Sequence, residues 1–255
     1  EYLKKGTITT LLYLSFAFLN WIDSLVLGYF STFENVAKYN IAGSISNVLA
    51  IIPFALSMFL LTRESELKNQ KRSKYVLKSA LRISFTLSLL VGMLMLSLIF
   101  PLLKIFFPKY AGIEPFITIL SVGILLYSLY SLLYIYETGK LEPERVFWPI
   151  FLAALLNFIL DIILVPKYGL YGITAATTIA HAFAFVTLSY KMGLLKEFLP
   201  SFIMLGFLPL SYYAGVMGII LIPIALCLSY WFSLFKEGDL FAITRAFFQI
   251  FERFR

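Results

Sequence analysis

The residues of this chain that could do chemistry are polar side chains inside long apolar stretches. Asn157 and Asp161 are four positions apart, so their side chains lie on one face of a helix. Asp23 lies in an earlier apolar stretch and Thr177 in a later one. Carboxylate, amide and hydroxyl oxygens are the ligands that small hard cations prefer. Together these side chains predict a site for such a cation or for protons.

Four further polar residues in apolar stretches are candidates for substrate contact or proton relay. They are Asn20, Asn47, Arg82 and His181. His181 follows the candidate threonine by one helical turn, and a lone histidine in such a position more often packs and hydrogen-bonds than ligates. Arg82 is the only basic residue near the interior of an apolar stretch, which makes it the candidate for an anionic substrate group.

The amino-acid composition places these residues in a membrane. Of the 255 residues, 60% are hydrophobic and 14% are charged, and the mean hydropathy is +0.88. Soluble domains are typically about 45–50% apolar and about 25% charged. The composition argues against a soluble enzyme, a disulfide scaffold and a nucleic-acid-binding protein. One cysteine and one histidine exclude an internal disulfide and a histidine metal cluster, and no enzymatic motif is present.

Apolar stretches bounded by charges, proline and glycine predict an all-α integral membrane protein with about eight transmembrane helices. The spans are residues 7–30, 39–61, 79–106, 116–136, 147–165, 171–192, 198–214 and 216–235. Prolines and glycines interrupt the last pair, so one long broken helix remains an alternative to two spans.

The distribution of lysine and arginine predicts the orientation of these spans. With the N-terminus in the cytoplasm, 16 basic residues fall on the cytoplasmic side and 4 on the outer side, and Arg82 completes the 21. Basic residues concentrate in cytoplasmic loops of membrane proteins. We therefore expect a multi-pass protein of the cytoplasmic membrane with both termini in the cytoplasm.

The predicted spans put the polar residues at one depth. Asp23 comes seven residues before Phe30, and Asp161 and Thr177 come ten residues before and six residues after Tyr171. Phe30 and Tyr171 are both expected at the outer boundary. A charge at the bilayer centre costs at least about 2.5–3.5 kcal/mol, so two carboxylates at matched depth indicate function. The alternative is that a neighbouring serine, tyrosine or backbone group satisfies each aspartate separately.

Three stretches of the sequence resemble a known family of transporters. They are NWIDSLVLGYFSTFENVAKYNIAGSISNVLA at 20–50, FFPKYAGIEPFITILSVG at 106–123 and NFILDIILVPKYGLYGITAATTIAHAFAFVTLSY at 157–190. Their order and spacing resemble the polysaccharide-export branch of the multidrug/oligosaccharidyl-lipid/polysaccharide (MATE-like) flippase superfamily. This branch contains the Wzx-like O-antigen flippases and the lipid II flippases. The resemblance covers roughly residues 7–190 of the chain.

The resemblance implies a domain organisation and a function. Members have two six-helix lobes, often with two further helices, and move polyprenyl- or dolichyl-linked oligosaccharides across the membrane by alternating access. Residues 1–192 resemble the second lobe and 193–235 the additional pair, while 236–255 reads as an amphipathic helix on the cytoplasmic leaflet. The expected partners are a lipid-linked oligosaccharide, membrane lipids and a missing N-terminal lobe, with no nucleic acid.

The resemblance also implies a set of ion ligands. Some members couple transport to sodium or protons, and the lipid II flippase branch has a sodium site in its second lobe. Its ligands correspond here to Asp23, Asn157, Asp161, the carbonyl of Ile173 and Thr177. No other cofactor is implied.

Two other functions remain open at this stage. One is a multidrug/cation antiporter of the same superfamily, which the scarcity of further cavity acids disfavours. The other is a non-transporting membrane scaffold for glycan synthesis, in which the basic loop at 63–78 recruits partners. That loop is otherwise explained by orientation and by attraction to anionic headgroups.

Overall fold

The fold is known from a computed structural model, which describes residues 2–64, 70–236 and 238–239. Every regular element in this part of the chain is helical, and seven segments are long and apolar enough to cross a membrane. The all-α membrane class predicted from composition is confirmed.

The described residues form ten α-helices in chain order. They are α1 (Tyr2–Phe30), α2 (Phe33–Ser46), α3 (Ile51–Glu64), α4 (Gln70–Phe106), α5 (Glu114–Gly139), α6 (Glu144–Tyr168), α7 (Leu170–Lys191), α8 (Leu195–Met204), α9 (Phe207–Ala214) and α10 (Leu221–Trp231). Three 3₁₀ turns lie between them, at Asn47–Ala50, Pro108–Tyr110 and Gly215–Ile220.

The second predicted span corresponds to one candidate membrane span, Phe33–Met58, which the 3₁₀ turn Asn47–Ala50 divides into α2 and α3. Pro53 in the first turn of α3 has no N–H to bond the carbonyl of Leu49, and its ring disfavours a continuous helix there. The Ser88 hydroxyl on α4 donates to that carbonyl at 2.8 Å. A neighbouring helix therefore satisfies the backbone group that the proline leaves free.

Helix α5 is the centre of the bundle. Its sequence is apolar on all sides, as expected for a buried helix, and it packs against α2, α3, α4 and α7. Gly123 brings α5 close to α7, since a Cβ at this position would lie 3.0 Å from the Cα of Thr178. Small residues of this kind let transmembrane helices approach closely.

Helices α6 and α7 form a tight pair. Gly169, with φ of +53°, makes the turn between them. A Cβ at Gly172 would lie 2.5 Å from the backbone oxygen of Leu164, so the two helix backbones touch. This contact fixes the position of α7 relative to α6, and both helices carry residues of the predicted cation site.

The segment from α8 to α10 folds back on itself. Arg82 on α4 bonds Glu197 at the start of α8 and Asp239 beyond the end of α10, so both ends of the segment lie at one level. The reversal comes at Gly215, whose φ is +56°, and Gly218 packs against the backbone of Ser211. By length and composition Leu195–Trp231 counts as one candidate span. The contacts instead give it the two arms that the sequence predicts, and we call it the C-terminal hairpin.

Two predicted surface segments are only partly described. Residues 237 and 240–255, which hold nearly all of the predicted amphipathic helix, lie outside the described residues, as do 65–69 of the basic loop. Within the rest, α4 begins at Gln70, so Lys74 and Lys78 are on a helix and not in a loop. Asp239 is buried in the bundle.

Candidate cation site

Four helices bring polar side chains together at one level of the bundle. Asp23 lies seven residues before the end of α1, Asp161 seven before the end of α6, and Thr177 seven after the start of α7. At 1.5 Å per residue, each is about 10 Å from the end of its helix. The level predicted from the sequence is therefore present in the structure.

The side chains at this level are buried. Asp161 and Asn157 are 0% exposed, and Asp23, Thr177 and Tyr39 are between 2% and 8% exposed. Buried carboxylates need hydrogen-bond donors or positive charge to offset the loss of water. We call this group of five residues, together with the carbonyl of Ile173, the nest.

Asp23 is held by one donor from each of three other helices. The hydroxyl of Tyr39 on α2 donates to its Oδ2, and the Nδ2 of Asn157 on α6 donates to its Oδ1 at 2.5 Å. The hydroxyl of Thr177 on α7 lies 2.8 Å from the same Oδ2. Asp23 thus joins α1 to α2, α6 and α7.

Asp161 has less support from donors. Its Oδ2 accepts a hydrogen bond of 3.2 Å from the same Nδ2 of Asn157, which places the two carboxylates on either side of one amide nitrogen. Its Oδ1 and the Oδ1 of Asn157 are buried without a hydrogen-bond partner. A small cation bound here would have two neighbouring carboxylates and two unpartnered oxygens available as ligands.

The carbonyl of Ile173 belongs to the same group. The Thr177 hydroxyl lies 2.8 Å from this carbonyl and 2.8 Å from Asp23, and its single hydrogen can serve only one of them at a time. The structure therefore brings together all five residues that the sequence predicts as ion ligands.

The donor set suits a hard cation more than a transition metal. In the part of the chain that the structure describes, no three histidine, cysteine or acidic side chains come together to hold a metal ion. The nest instead combines two carboxylates with neutral oxygens, and oxygen-only sets favour hard cations.

Asn20 and Asn47 lie outside the nest. Asn20 donates to the carbonyl of Phe16 at 2.7 Å and lines a cleft of about 420 Å³ between α1, α3 and α5, with aromatic residues such as Trp21 and Tyr127. Asn47 is exposed in the 3₁₀ turn between α2 and α3.

His181 also lies outside the nest, one turn farther along α7 than Thr177. Its side chain is buried, and its Nδ1 lies 3.1 Å from the hydroxyl of Tyr130 on α5. Its ring centroid is 5.2 Å from that of Tyr127. These contacts are those of a packed, hydrogen-bonded histidine that joins α7 to α5.

Arg82 lies at the other end of the bundle, within an ion cluster. Its guanidinium bonds Asp239 at 2.5 and 2.8 Å and Glu197 at 2.8 Å, and its side chain is 3% exposed. Lys78 pairs with the same glutamate at 2.5 Å. The sequence suggests Arg82 as a substrate-binding residue, but in the structure it binds the C-terminal hairpin to α4.

Tyr39 is the nest residue that sequence reasoning missed. A tyrosine near the end of a span is ordinarily read as an interfacial anchor. The signal available in the sequence was its spacing, because Tyr39 shares one helix face with the small residues Ala42 and Ser46. In the structure all three side chains are buried. A tyrosine on the packing face of a helix points into the bundle.

The sequence matches one family model and is similar to two curated proteins. The family model MatE matches residues 9–163. An uncharacterized membrane protein of Methanocaldococcus jannaschii is 31% identical over 167 residues, which cover 63% of this chain and 32% of that protein. The probable flippase AglR of Haloferax volcanii is 24% identical over 213 residues, which cover 80% of this chain and 44% of AglR.

A solved structure shares the fold. The lipid II flippase MurJ in an inward closed conformation aligns with a TM-score of 0.65 and 20% identity, over 89% of this chain and 51% of MurJ. The chain thus spans a third to about half of the length of the proteins it matches. Because the family model covers more than half of the chain, the protein belongs to the MatE family, within the superfamily whose flippase branch its sequence resembles.

Proposed function

We propose that this chain forms one lobe of a flippase that moves a lipid-linked oligosaccharide across the cytoplasmic membrane by alternating access. Membership of the MatE family supports a transport function. One relative is named a probable flippase, and the similar structure is that of a lipid II flippase. The chain aligns with only 51% of that structure, which supports the proposal that a second lobe completes the transporter.

The observation that carries the proposal is the nest, because its hydrogen bonds join four helices around two buried carboxylates. Asp23, Asn157, Asp161, Thr177 and the Ile173 carbonyl would hold sodium, and a proton on either carboxylate is the alternative. A bound cation would supply the positive charge that the two buried carboxylates lack among their neighbours.

The nest lies where it could affect the opening of the lobe. Asp23 joins α1 to α2 near one end of the bundle. The cleft lined by Asn20 lies between α1 and α3, nearer the N-terminus of α1. A change in charge at Asp23 alters the bonds that hold α1 to three other helices. Such a change would bias the equilibrium between two arrangements of the lobe by the difference in ion affinity between them.

A sodium titration tests the proposed ion site. The purified chain is titrated with sodium chloride in detergent by calorimetry, with N-methylglucamine chloride holding the ionic strength constant. We expect Asp161→Asn to lose sodium binding, since it removes one of the two carboxylates. Glu34→Gln is the matched control, because it removes an exposed acidic group that pairs with Lys38 and is not one of the nest residues. Equal sodium affinity in Asp161→Asn and the unchanged chain contradicts sodium coupling at the nest.

A transport assay separates the flippase from its rivals. A protein that carries this lobe and its partner lobe is reconstituted into vesicles with a fluorescent lipid-linked oligosaccharide or with a cationic dye. Translocation of the lipid supports the flippase, and translocation of the dye alone favours the antiporter. If neither moves and glycan enzymes co-purify, the scaffold function is favoured.

A further inference from the structure

A basic pocket lies at the end of the bundle away from the nest. It measures about 220 Å³ and is bounded by α4, by the connection from α5 to α6 and by the end of α7. Its polar lining includes Lys74, Tyr136, Glu137, Lys140, Arg145 and Lys191. Four basic residues, from α4, the connection of α5 to α6, the start of α6 and the end of α7, therefore surround one cavity.

Two of these lysines are held against the wall of the pocket. The Nζ of Lys140 donates to the hydroxyl of Tyr136 at 2.6 Å and lies 3.8 Å from the centre of its ring. The Nζ of Lys74 donates to the carbonyl of Met192 at 3.2 Å. Lysines that serve only to orient a membrane protein have no need of such partners, because their ammonium groups are free to extend into water.

The charge around the pocket is unbalanced. Its lining holds four basic residues and one acidic residue, Glu137, which lies 3.6 Å from Arg145. Arg145 also pairs with Glu142 at 2.8 Å. Lys74 and Lys140 bond a carbonyl and a hydroxyl, as described above, and neither of these groups carries a negative charge. Like charges gathered in one cavity repel each other, and an anion in the pocket would reverse that effect.

We propose that this pocket binds a phosphate group, carried either by an anionic lipid headgroup or by a small soluble phosphate. Lysine and arginine together with a tyrosine hydroxyl supply the charge and the hydrogen-bond donors that phosphate oxygens accept. The pocket lies where α5 and α7 end and α6 begins, which is the level of the headgroups if these helices cross a membrane. A water molecule occupies about 30 Å³ in the liquid, so the cavity is large enough for a small polyatomic anion.

The test measures lipid and phosphate binding to the purified chain. In one arm, the chain in detergent is mixed with equal amounts of phosphatidic acid and phosphatidylcholine, and bound lipids are counted by native mass spectrometry. In the other arm, inorganic phosphate is titrated by calorimetry against a chloride background of equal ionic strength. Neither arm depends on sodium binding or on transport, so the result is independent of the proposed flippase function.

Three paired variants isolate the pocket. Lys140→Gln with Lys191→Gln removes two of its charges, and Lys140→Arg with Lys191→Arg keeps them. Lys109→Gln with Lys167→Gln removes two exposed charges near the opposite end of the bundle. We expect the first pair to lower the preference for phosphatidic acid, or the phosphate affinity, by about tenfold or more, and the other two pairs to leave it unchanged.

The outcomes distinguish the two sources of phosphate. Preference for phosphatidic acid without binding of inorganic phosphate identifies a lipid headgroup site. Binding of inorganic phosphate without a lipid preference identifies a site for a soluble phosphate. Absence of both overturns the proposal, and so does an equal loss in the pocket pair and the distant pair.

Discussion

The amide nitrogen of Asn157 on α6 donates a 2.5 Å hydrogen bond to Asp23 on α1, across 134 positions of sequence. The same nitrogen bonds Asp161, so the NH₂ side of the amide faces both carboxylates. An amide has donors on one side and an acceptor on the other, and its Oδ1 must therefore point away from them. That oxygen is buried without a donor, and it could ligate the same cation as the two acids only after the amide turns it toward them.

Removal of the Tyr39 hydroxyl tests the contribution of α2 to the nest. Tyr39→Phe deletes one donor to Asp23 and leaves a buried carboxylate with less support. We expect a loss of about 1–3 kcal/mol in the free energy of unfolding, measured by denaturant titration in mixed micelles. The loss should be smaller in an Asp23→Asn background. Equal losses in both backgrounds would show that the hydroxyl acts elsewhere.

A methyl group at Gly172 tests whether α6 and α7 must touch for the nest to form. Gly172→Ala forces a Cβ to within 2.5 Å of the Leu164 backbone oxygen, and backbone atoms cannot rotate away. Over-packing of this kind costs about 1–3 kcal/mol and should weaken sodium-dependent thermal stabilisation.

Gly43→Ala is the matched control for that experiment. A Cβ at Gly43 meets no atom within 4 Å, and alanine favours helix more than glycine does by about 1 kcal/mol. We expect this variant to be as stable as the unchanged chain or more so. A similar loss of stability in both alanine variants would contradict the interpretation of Gly172.

Replacement of Arg82 tests whether its ion pairs hold the C-terminal hairpin against α4. Arg82→Met leaves Asp239 buried and unpaired, which typically costs about 3–5 kcal/mol. We expect faster hydrogen exchange in α8 to α10 and a smaller loss when Asp239→Leu is combined with Arg82→Met. Lys38→Met is the control, because it breaks an ion pair with the exposed Glu34, and exposed pairs contribute little to stability. Unchanged exchange in the hairpin would rule out this role of Arg82.

His181 provides a prediction with two separate readouts. Its contact with Tyr130 predicts a coupling of about 1 kcal/mol in a double-mutant cycle of His181→Leu and Tyr130→Phe. Its place outside the nest predicts that sodium affinity does not change. A loss of sodium binding in a folded His181→Leu protein would assign it a part in the ion site.

The sequence predicted the helices well where composition changes abruptly. The ends of the first and third predicted spans, at Phe30 and Phe106, are the ends of α1 and α4. The start of α4 at Gln70 precedes the predicted 79 because a hydropathy window stops at charged residues, whereas a helix continues through them. Pro53 is a local signal of the break before α3, but the α4 hydroxyl that bonds the carbonyl left free there appears in no local pattern.

The candidate site likewise has residues that sequence patterns predict and contacts that they do not. Asp23, Asn157, Asp161 and Thr177 could be found because helical spacing and depth in a membrane are regular. The acidic partners of Arg82 could not, because they lie 115 and 157 positions away and meet it only when the C-terminal hairpin packs on α4. Periodicity describes single helices, and tertiary contacts decide which of their residues meet.

The ion cluster at Arg82 also imposes an order on synthesis. The arginine is made before its two carboxylate partners, which follow it by 115 and 157 positions. Until then Arg82 and Lys78 lack these acidic partners at the end of a membrane helix. Completion of the C-terminal hairpin thus supplies the carboxylates that pair with Arg82 and Lys78. A chain that stops before α8 would leave Arg82 and Lys78 without these carboxylate partners.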